Sequence, residues 1–256
     1  MRSTQRTLIT LVLVAGAYEG VAHSGAFPSA LLPPLEAVAR ALVRGILDGT
    51  LLVNALSTLL RVLLGVALAV ACGLPLGVLM GRFRAVERFF MPLTSALMPI
   101  PSLAWVPVFI LWFGLGDAAA VGIVFYASLF PMLLNAWSGV RAVNPLWLRA
   151  ATAMGADEMA LFCKVMLPGA FPFIITGVRQ VFLRAWIAVI GAEMLASSDR
   201  GLGWMIFDAK EFLKADVMLA SLAVIGLIGF AFERLVFGPM ERATVLRWGM
   251  VGTAKG

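Results

Sequence analysis

The chain has 256 residues, 61% of them hydrophobic and only 13% charged, with a formal net charge of +6. A soluble domain is about half apolar and a quarter charged, so this apolar excess cannot be housed in one water-soluble core, and lipid is the missing solvent. The basic residues fall largely between apolar runs, the pattern of a positive-inside membrane protein and not of a nucleic-acid binder.

A helix needs about 20 apolar residues to cross a bilayer. Runs near 7–23, 51–81, 89–113, 118–137, 170–196 and 217–237 meet that length and predict an all-α integral membrane protein of about six spans. Backbone groups in hydrocarbon must bond within their own segment, and strand alternation is absent, so the runs are read as helices. The first run follows Arg2 and Arg6 and carries Glu19; a cleavable signal peptide ending at Ala15-Gly16-Ala17 is the rival reading. Residues 24–50 are too polar to span. After Pro28, Pro33 and Pro34, residues Leu35, Val38, Ala39, Leu42, Val43 and Ile46 recur with helical spacing, opposite Glu36, Arg40 and Arg44. That pattern predicts a short amphipathic helix at the outer surface.

In the second run Gly65, Ala69, Gly73, Gly77 and Gly81 follow one another at intervals of four and share one helix face. Small residues there admit a closely packed neighbour, either within the subunit or across a dimer seam. Pro75 lies in the same run. Pro92, Pro99, Pro101 and Pro107 interrupt the third run, which points to a pathway-lining segment, since broken helices need a cavity or neighbours for their freed carbonyls. Trp105 and Trp112 on it are candidates for stacking on a solute or for packing.

Charges inside apolar runs are costly and face a bundle interior or a pathway. Arg61, Arg179, Arg184, Glu193 and Glu233 are such charges. Arg61 and Arg184 are candidates to oppose Glu193 as ion pairs or to attract an anionic solute, and Arg179 to snorkel to the inner interface. Arg61, Trp105, Arg179, Arg184, Trp186 and Glu193 form the candidate pathway set. Between the last two runs, Ser197-Ser198-Asp199-Arg200-Gly201 reads as a loop and Trp204–Phe212 as partly amphipathic. With the N-terminus inside, the inner connections hold Arg2, Arg6, Arg82, Arg84, Arg88, Arg141, Arg149, Lys164, Arg242, Arg247 and Lys255, and the outer ones hold Arg40, Arg44, Arg200, Lys210 and Lys214. This bias predicts both termini inside. Two cysteines, Cys72 and Cys163, and the single His23 form neither a disulfide framework nor a metal-ligand spacing.

The inner connection 138–169 carries the most specific local pattern. Asn144-Pro145 is a helix start, with Asn as cap and Pro at the first helical position. Gly155 suits a helix C-terminus with positive φ, and Asp157 caps a second helix that Leu167-Pro168 is expected to end. The Ala-rich helix–Gly–helix module has no catalytic pair and no phosphate cradle; its form suits a peg seated in a groove of another protein.

Leu148-Arg149-Ala150-Ala151-Thr152-Ala153-Met154-Gly155-Ala156, with Phe162, Val165, Leu167-Pro168-Gly169-Ala170, Pro172 and Thr176-Gly177-Val178-Arg179, resembles the EAA signature of binding-protein-dependent permeases. Pro99-Ile100-Pro101-Ser102-Leu103-Ala104-Trp105, Trp112-Phe113-Gly114-Leu115-Gly116 and Ala192-Glu193-Met194 resemble its branch for nitrate, sulfonates and taurine. The resemblance implies a type I importer permease of the bacterial inner membrane, whose loop (Arg149, Ala150, Ala151, Met154, Gly155, Ala156 and Asp157) docks on an ATP-binding subunit. It further implies a second permease copy, two ATP-binding subunits that hold the ATP and Mg, and an external solute-binding protein. No cofactor is expected in this chain, which lacks the Gly-x-x-x-x-Gly-Lys phosphate loop. Arg149 stands where the family has an acidic residue, and Arg184 where a small one is common. A secondary transporter or channel independent of ATP is the alternative.

Overall fold

The computed structural model describes residues 2–197 and 199–241, so Ser198, Arg242, Arg247 and Lys255 lie outside it. Every regular element among the described residues is helical: α1 (Arg2–His23), α2 (Leu35–Leu47), α3 (Thr50–Arg82), α4 (Arg84–Leu97), a 3₁₀ turn Ser102–Trp105, α5 (Val106–Phe113) and α6 (Asp117–Arg141). Then follow α7 (Pro145–Ala153), α8 (Glu158–Leu161), a π turn Phe162–Met166, α9 (Leu167–Ala196), α10 (Leu202–Glu211), α11 (Ala215–Phe232), a second π turn Glu233–Phe237 and α12 (Gly238–Glu241).

Four of these stretches are long and apolar enough to cross a membrane: Thr50–Arg82, Asp117–Arg141, Glu158–Ala196 and Ala215–Met240. A fifth crossing is the pair Arg84–Leu97 and Ser102–Phe113, bent by 87°. Pro99 and Pro101 sit at that bend; each lacks a backbone N–H, and a proline pushes the residue before it out of the α region. The first expected span forms as α1 but is not among the four. Arg6, Thr7, Thr10, Glu19 and His23 dilute its apolar run. Its end is tied down: the Tyr18 hydroxyl donates to the Pro33 carbonyl at 2.7 Å, and Glu19 accepts from the Leu35 N–H at 2.8 Å, capping α2.

Helices α3, α6 and α9 form the central layer, with α10 against α9, α11 against α10, α5 against α6, and α2 across α11 and α3. The glycine stripe of α3 faces α6 within the same chain, not a second copy. A Cβ on Gly65 would fall 2.5 Å from Val124, and one on Gly81 2.6 Å from Val140. At Gly77 it would run into the Leu133 carbonyl. This close approach buries Ala69, Met132 and Ala136 completely. On the opposite face of α3, Leu52, Leu56, Leu60 and Leu64 stay exposed at helical spacing. Apolar side chains inside and outside together mark lipid as the surrounding medium.

Two prolines do not act as chain terminators. Leu167-Pro168 predicts an end to the helix after Asp157; instead Glu158–Ala196 runs on as one 39-residue helix. The preceding turn widens, so the Leu167 N–H bonds the Phe162 carbonyl, five residues back. That relieves the clash an α-helical Pro168 would make with the Lys164 carbonyl. The same device precedes Pro239, where the Gly238 N–H bonds the Glu233 carbonyl.

Candidate functional site

The knob at one end of the bundle is built as its residues dictate. Asn144 accepts from the Leu146 N–H at 2.9 Å, capping α7, and Pro145 takes the first helical position. At the other end the Ala156 N–H bonds the Ala151 carbonyl and the Gly155 N–H the Thr152 carbonyl, both at 3.0 Å. This is a Schellman closure, and it requires the left-handed backbone that Gly155 supplies at φ +83°. Asp157 then caps α8 by accepting from the Ala160 N–H at 2.7 Å. Ala151 is buried under the knob, whereas Leu146, Trp147, Met154 and Met159 stand exposed, Met154 at 82%. Exposed apolar side chains gathered on a rigid tip are an interaction surface. Arg149 lies on the exposed side, with no carboxylate partner among the described residues. Arg82 reaches Glu158 at 2.9 Å and Arg141 reaches Glu87 at 3.3 Å, fastening the knob end to α3, α4 and α6.

At the far end of the same helices the structure assembles a buried polar knot. Arg61, 3% exposed, donates to Glu193 and to the Arg200 carbonyl, each at 2.7 Å, and pairs with Asp117 at 2.5 Å. Glu193, fully buried, also accepts from the Thr58 hydroxyl and the Gly203 N–H, each at 2.9 Å. The Leu202 N–H donates to Thr58 and the Gly201 N–H to Asn54, at 2.9 and 2.7 Å. A Cβ on Gly201 would meet the Glu193 carboxylate, which is why glycine stands there. The knot ties α3, α6 and α9 to the start of α10. Just outside the spans, Asp48 accepts from the N–H and hydroxyl of Thr50, and these two bonds hold its carboxyl below the ordinary range.

The remaining candidate pathway residues separate. Arg179 pairs with Glu233 through both nitrogens of its guanidinium edge. Trp186, 7% exposed, is packed with Val62, Phe182 and Phe237 in the core. Trp105 packs at a tilt of 43° against Tyr126, ring centroids 5.2 Å apart, and it is Tyr126 that lines a cavity of about 350 Å³. Arg184 is exposed and lines that cavity, together with Ile100, Ser102, Leu103, Phe130 and Ile187. Among the described residues no three His, Cys, Asp or Glu come together to hold a metal ion.

Residues 73–237 match the family described as the inner membrane component of binding-protein-dependent transport systems. The chain belongs to this family. It is a multi-pass protein of the inner membrane, of the kind that binding-protein-dependent transport systems contain. Among the relatives of this permease is a putative ABC transporter permease of Methanocaldococcus jannaschii, 41% identical over 61% of this chain and 59% of that protein. The taurine transport permease of Escherichia coli is 36% identical over 61% of this chain and 56% of that protein. The bicarbonate transport permease of Synechococcus elongatus is 33% identical over 62% and 57%. The chain thus spans less than three fifths of these relatives' own length. Its fold is that of type I ABC importer permeases. The inward-facing MetNI methionine transporter superposes at TM-score 0.68 with 18% identity, over 77% of this chain and 97% of that one. An amino acid ABC transporter with histidines gives 0.66 and 17%, over 79% and 97%.

Sequence reasoning missed Asp117, Thr58, Asn54 and Gly203 as members of the knot. Asp117 opens the fourth expected span directly after Gly114-Leu115-Gly116, a position that reads as a loop charge. Nothing local signals its pairing with a residue 56 positions away.

Proposed function

We propose that this permease forms the translocation pathway of an ATP-binding-cassette importer for a small anionic solute and is driven by a separate ATPase. The observation that carries this is the knob 145–161: its first helix capped at both ends, its tip apolar, and its second helix continuous with the membrane helix α9 through one π turn. Such a peg passes on displacement without doing chemistry, so the energy is supplied by a subunit docked on it. Two ATP-binding subunits would hold the ATP and Mg, two permease copies would enclose the path, and an external solute-binding protein would deliver the solute. The basic belt of Arg82, Arg84, Arg88, Arg141, Arg149 and Lys164 supports reading the knob end as the cytoplasmic one, by the positive-inside bias. The small-anion class is supported by the relatives named for taurine and bicarbonate transport.

The test is coupling in a reconstituted complex. Gly155→Val forces a β-branched residue into φ +83°, and Ala151→Phe overfills the buried foot of the knob. Both should lose solute-stimulated ATP hydrolysis while circular dichroism still reports a helical protein. Full stimulation in both variants, or ATP-independent uptake by the permease alone, would refute the reading.

A further inference from the structure

The apolar runs carry three arginines deep within them, and the structure spends two. Arg61 is neutralised by Glu193 and Asp117, and Arg179 by Glu233. Arg184 has no hydrogen bond or ion pair among the described residues. It lies on α9 and borders the cavity of about 350 Å³, whose lining includes no Asp or Glu. The hydroxyls there belong to Ser102 and to Tyr126, and Tyr126 is already committed to the Leu97 carbonyl at 2.7 Å. One wall is the bent segment Ile100–Leu103; another is α6 at Phe130 and Pro131. Within a membrane, an ionised side chain with no protein counter-charge marks an ion or solute path.

We propose that Arg184 is the anion-holding residue of the pathway: the guanidinium binds the sulfonate or carboxylate head of the solute, and Leu103 and Phe130 receive its short apolar part. This rests on the importer reading above and adds the residue that reads charge. A guanidinium presents paired N–H groups that match two oxygens of such a head. The volume lies at the small end of ligand pockets, roughly 300–1,000 Å³, and so admits a small solute. Arg61 and Arg179 hold helices together and do not share this role.

The experiment reads charge at the cavity apart from transport. The exposed Cys72 and Cys163 are replaced by serine, and Ile187→Cys, 75% exposed on the cavity wall, supplies a reporter thiol. The complex with its ATP-binding subunit, in nanodiscs, is labelled with a sulfonate-bearing or a trimethylammonium-bearing methanethiosulfonate. With Arg184 present the anionic reagent reacts faster, and excess ethanesulfonate protects the thiol. R184Q should cut the anionic-to-cationic rate ratio by about tenfold, as loss of a unit charge a few ångströms away requires, and abolish the protection. R184K should retain part of both, which separates charge from folding. In proteoliposomes with the binding protein, R184Q should lower ATP-driven anion uptake in parallel. An unchanged rate ratio, or unchanged uptake despite a lost ratio, would overturn the proposal. If the parent complex showed no ATP-driven uptake at all, the importer reading would fail while the labelling still judged Arg184.

Discussion

Removing the Arg61 side chain should cost more than any other single cut in the polar knot. In Arg61→Ala the Glu193 carboxylate stays fully buried and keeps the Thr58 hydroxyl and the Gly203 N–H, but it loses its counter-charge. Stranding one partner of a buried ion pair costs about 3–5 kcal/mol. Glu193→Gln is milder. Every group facing Glu193 is a donor, so the new amide must turn its NH₂ against one of them. The least costly choice is Arg61, which keeps Asp117 at 2.5 Å and the Arg200 carbonyl at 2.7 Å. One charge-assisted bond is then lost, about 1–3 kcal/mol. Asp117→Asn should cost under about 1 kcal/mol, because the Asp117 side chain is 78% exposed and water already screens it. Unfolding by sodium dodecyl sulfate in mixed micelles, followed by circular dichroism, gives the three free energies. The double variant Arg61→Ala/Glu193→Gln should be less destabilised than the sum of the singles, since a neutral amide no longer needs the arginine. An Arg61→Ala variant within about 1 kcal/mol of the parent, or an Asp117→Asn variant as damaged as Arg61→Ala, would refute this account.

Glycines on the two sides of the bundle should respond oppositely. Gly77→Ala drives a Cβ into the Leu133 carbonyl and should lower stability by several kcal/mol or abolish membrane accumulation. Gly226→Ala on α11, where a Cβ meets nothing within 4 Å, should be neutral or stabilising by up to about 1 kcal/mol in the same micellar assay. Glu158→Gln removes the partner of Arg82 from an exposed pair and should leave stability within about 1 kcal/mol. Asp48 has its carboxyl held below the ordinary range by Thr50, so its contribution is fully present above the ordinary carboxylate pKa. That contribution is lost as pH falls through the lowered value. The stability gap between the parent and Asp48→Asn should therefore be flat near neutrality and close only in strong acid; a gap that grew on acidification would contradict the sign. Pro168→Ala lets the π turn close into a regular helix and should leave the fold intact while reducing stimulated ATP hydrolysis. Unchanged stimulation would show that the turn has no part in coupling.

What could be read from the chain was whatever depends on near neighbours. Asn144, Pro145, Gly155 and Asp157 are caps and turns whose partners lie within five residues, and all four do what their chemistry requires. The break at Pro99–Pro101 and the four-residue glycine stripe are likewise properties of one helix. The stripe's partner was not legible, because nothing in α3 states whether α6 or a second copy will lie against it. The knot was legible only in part. Arg61 and Glu193 announce themselves as charges in apolar runs, but their pairing spans 132 positions and depends on the α9–α10 loop folding back over them. Arg184 resembles Arg61 in sequence, and only the arrangement of helices leaves one paired and the other open to a cavity. Leu167-Pro168 misled for a local reason. A proline forbids an α-helical bond but not a π-helical one, and the wider turn let the helix continue.

The knob and the knot lie at the two ends of one element. At about 1.5 Å per residue, the 39 residues of Glu158–Ala196 make a rod of roughly 58 Å, longer than the hydrocarbon core of about 30 Å. Glu193, near its far end, is clamped by Arg61 of α3, and Arg184 sits between clamp and knob. A rod fixed at one end and displaced at the other pivots, and the residues between the two ends move relative to helices packed beside them. Because α6 is locked to α3 along the glycine stripe, the wall contributed by Phe130 and Pro131 stays with α3 while Arg184 and Ile187 travel with α9. On the proposed coupling, work done at the exposed Met154 tip would therefore change the width of the cavity that holds the anion. It would do so without displacing the buried charges that keep the outer end closed against α10.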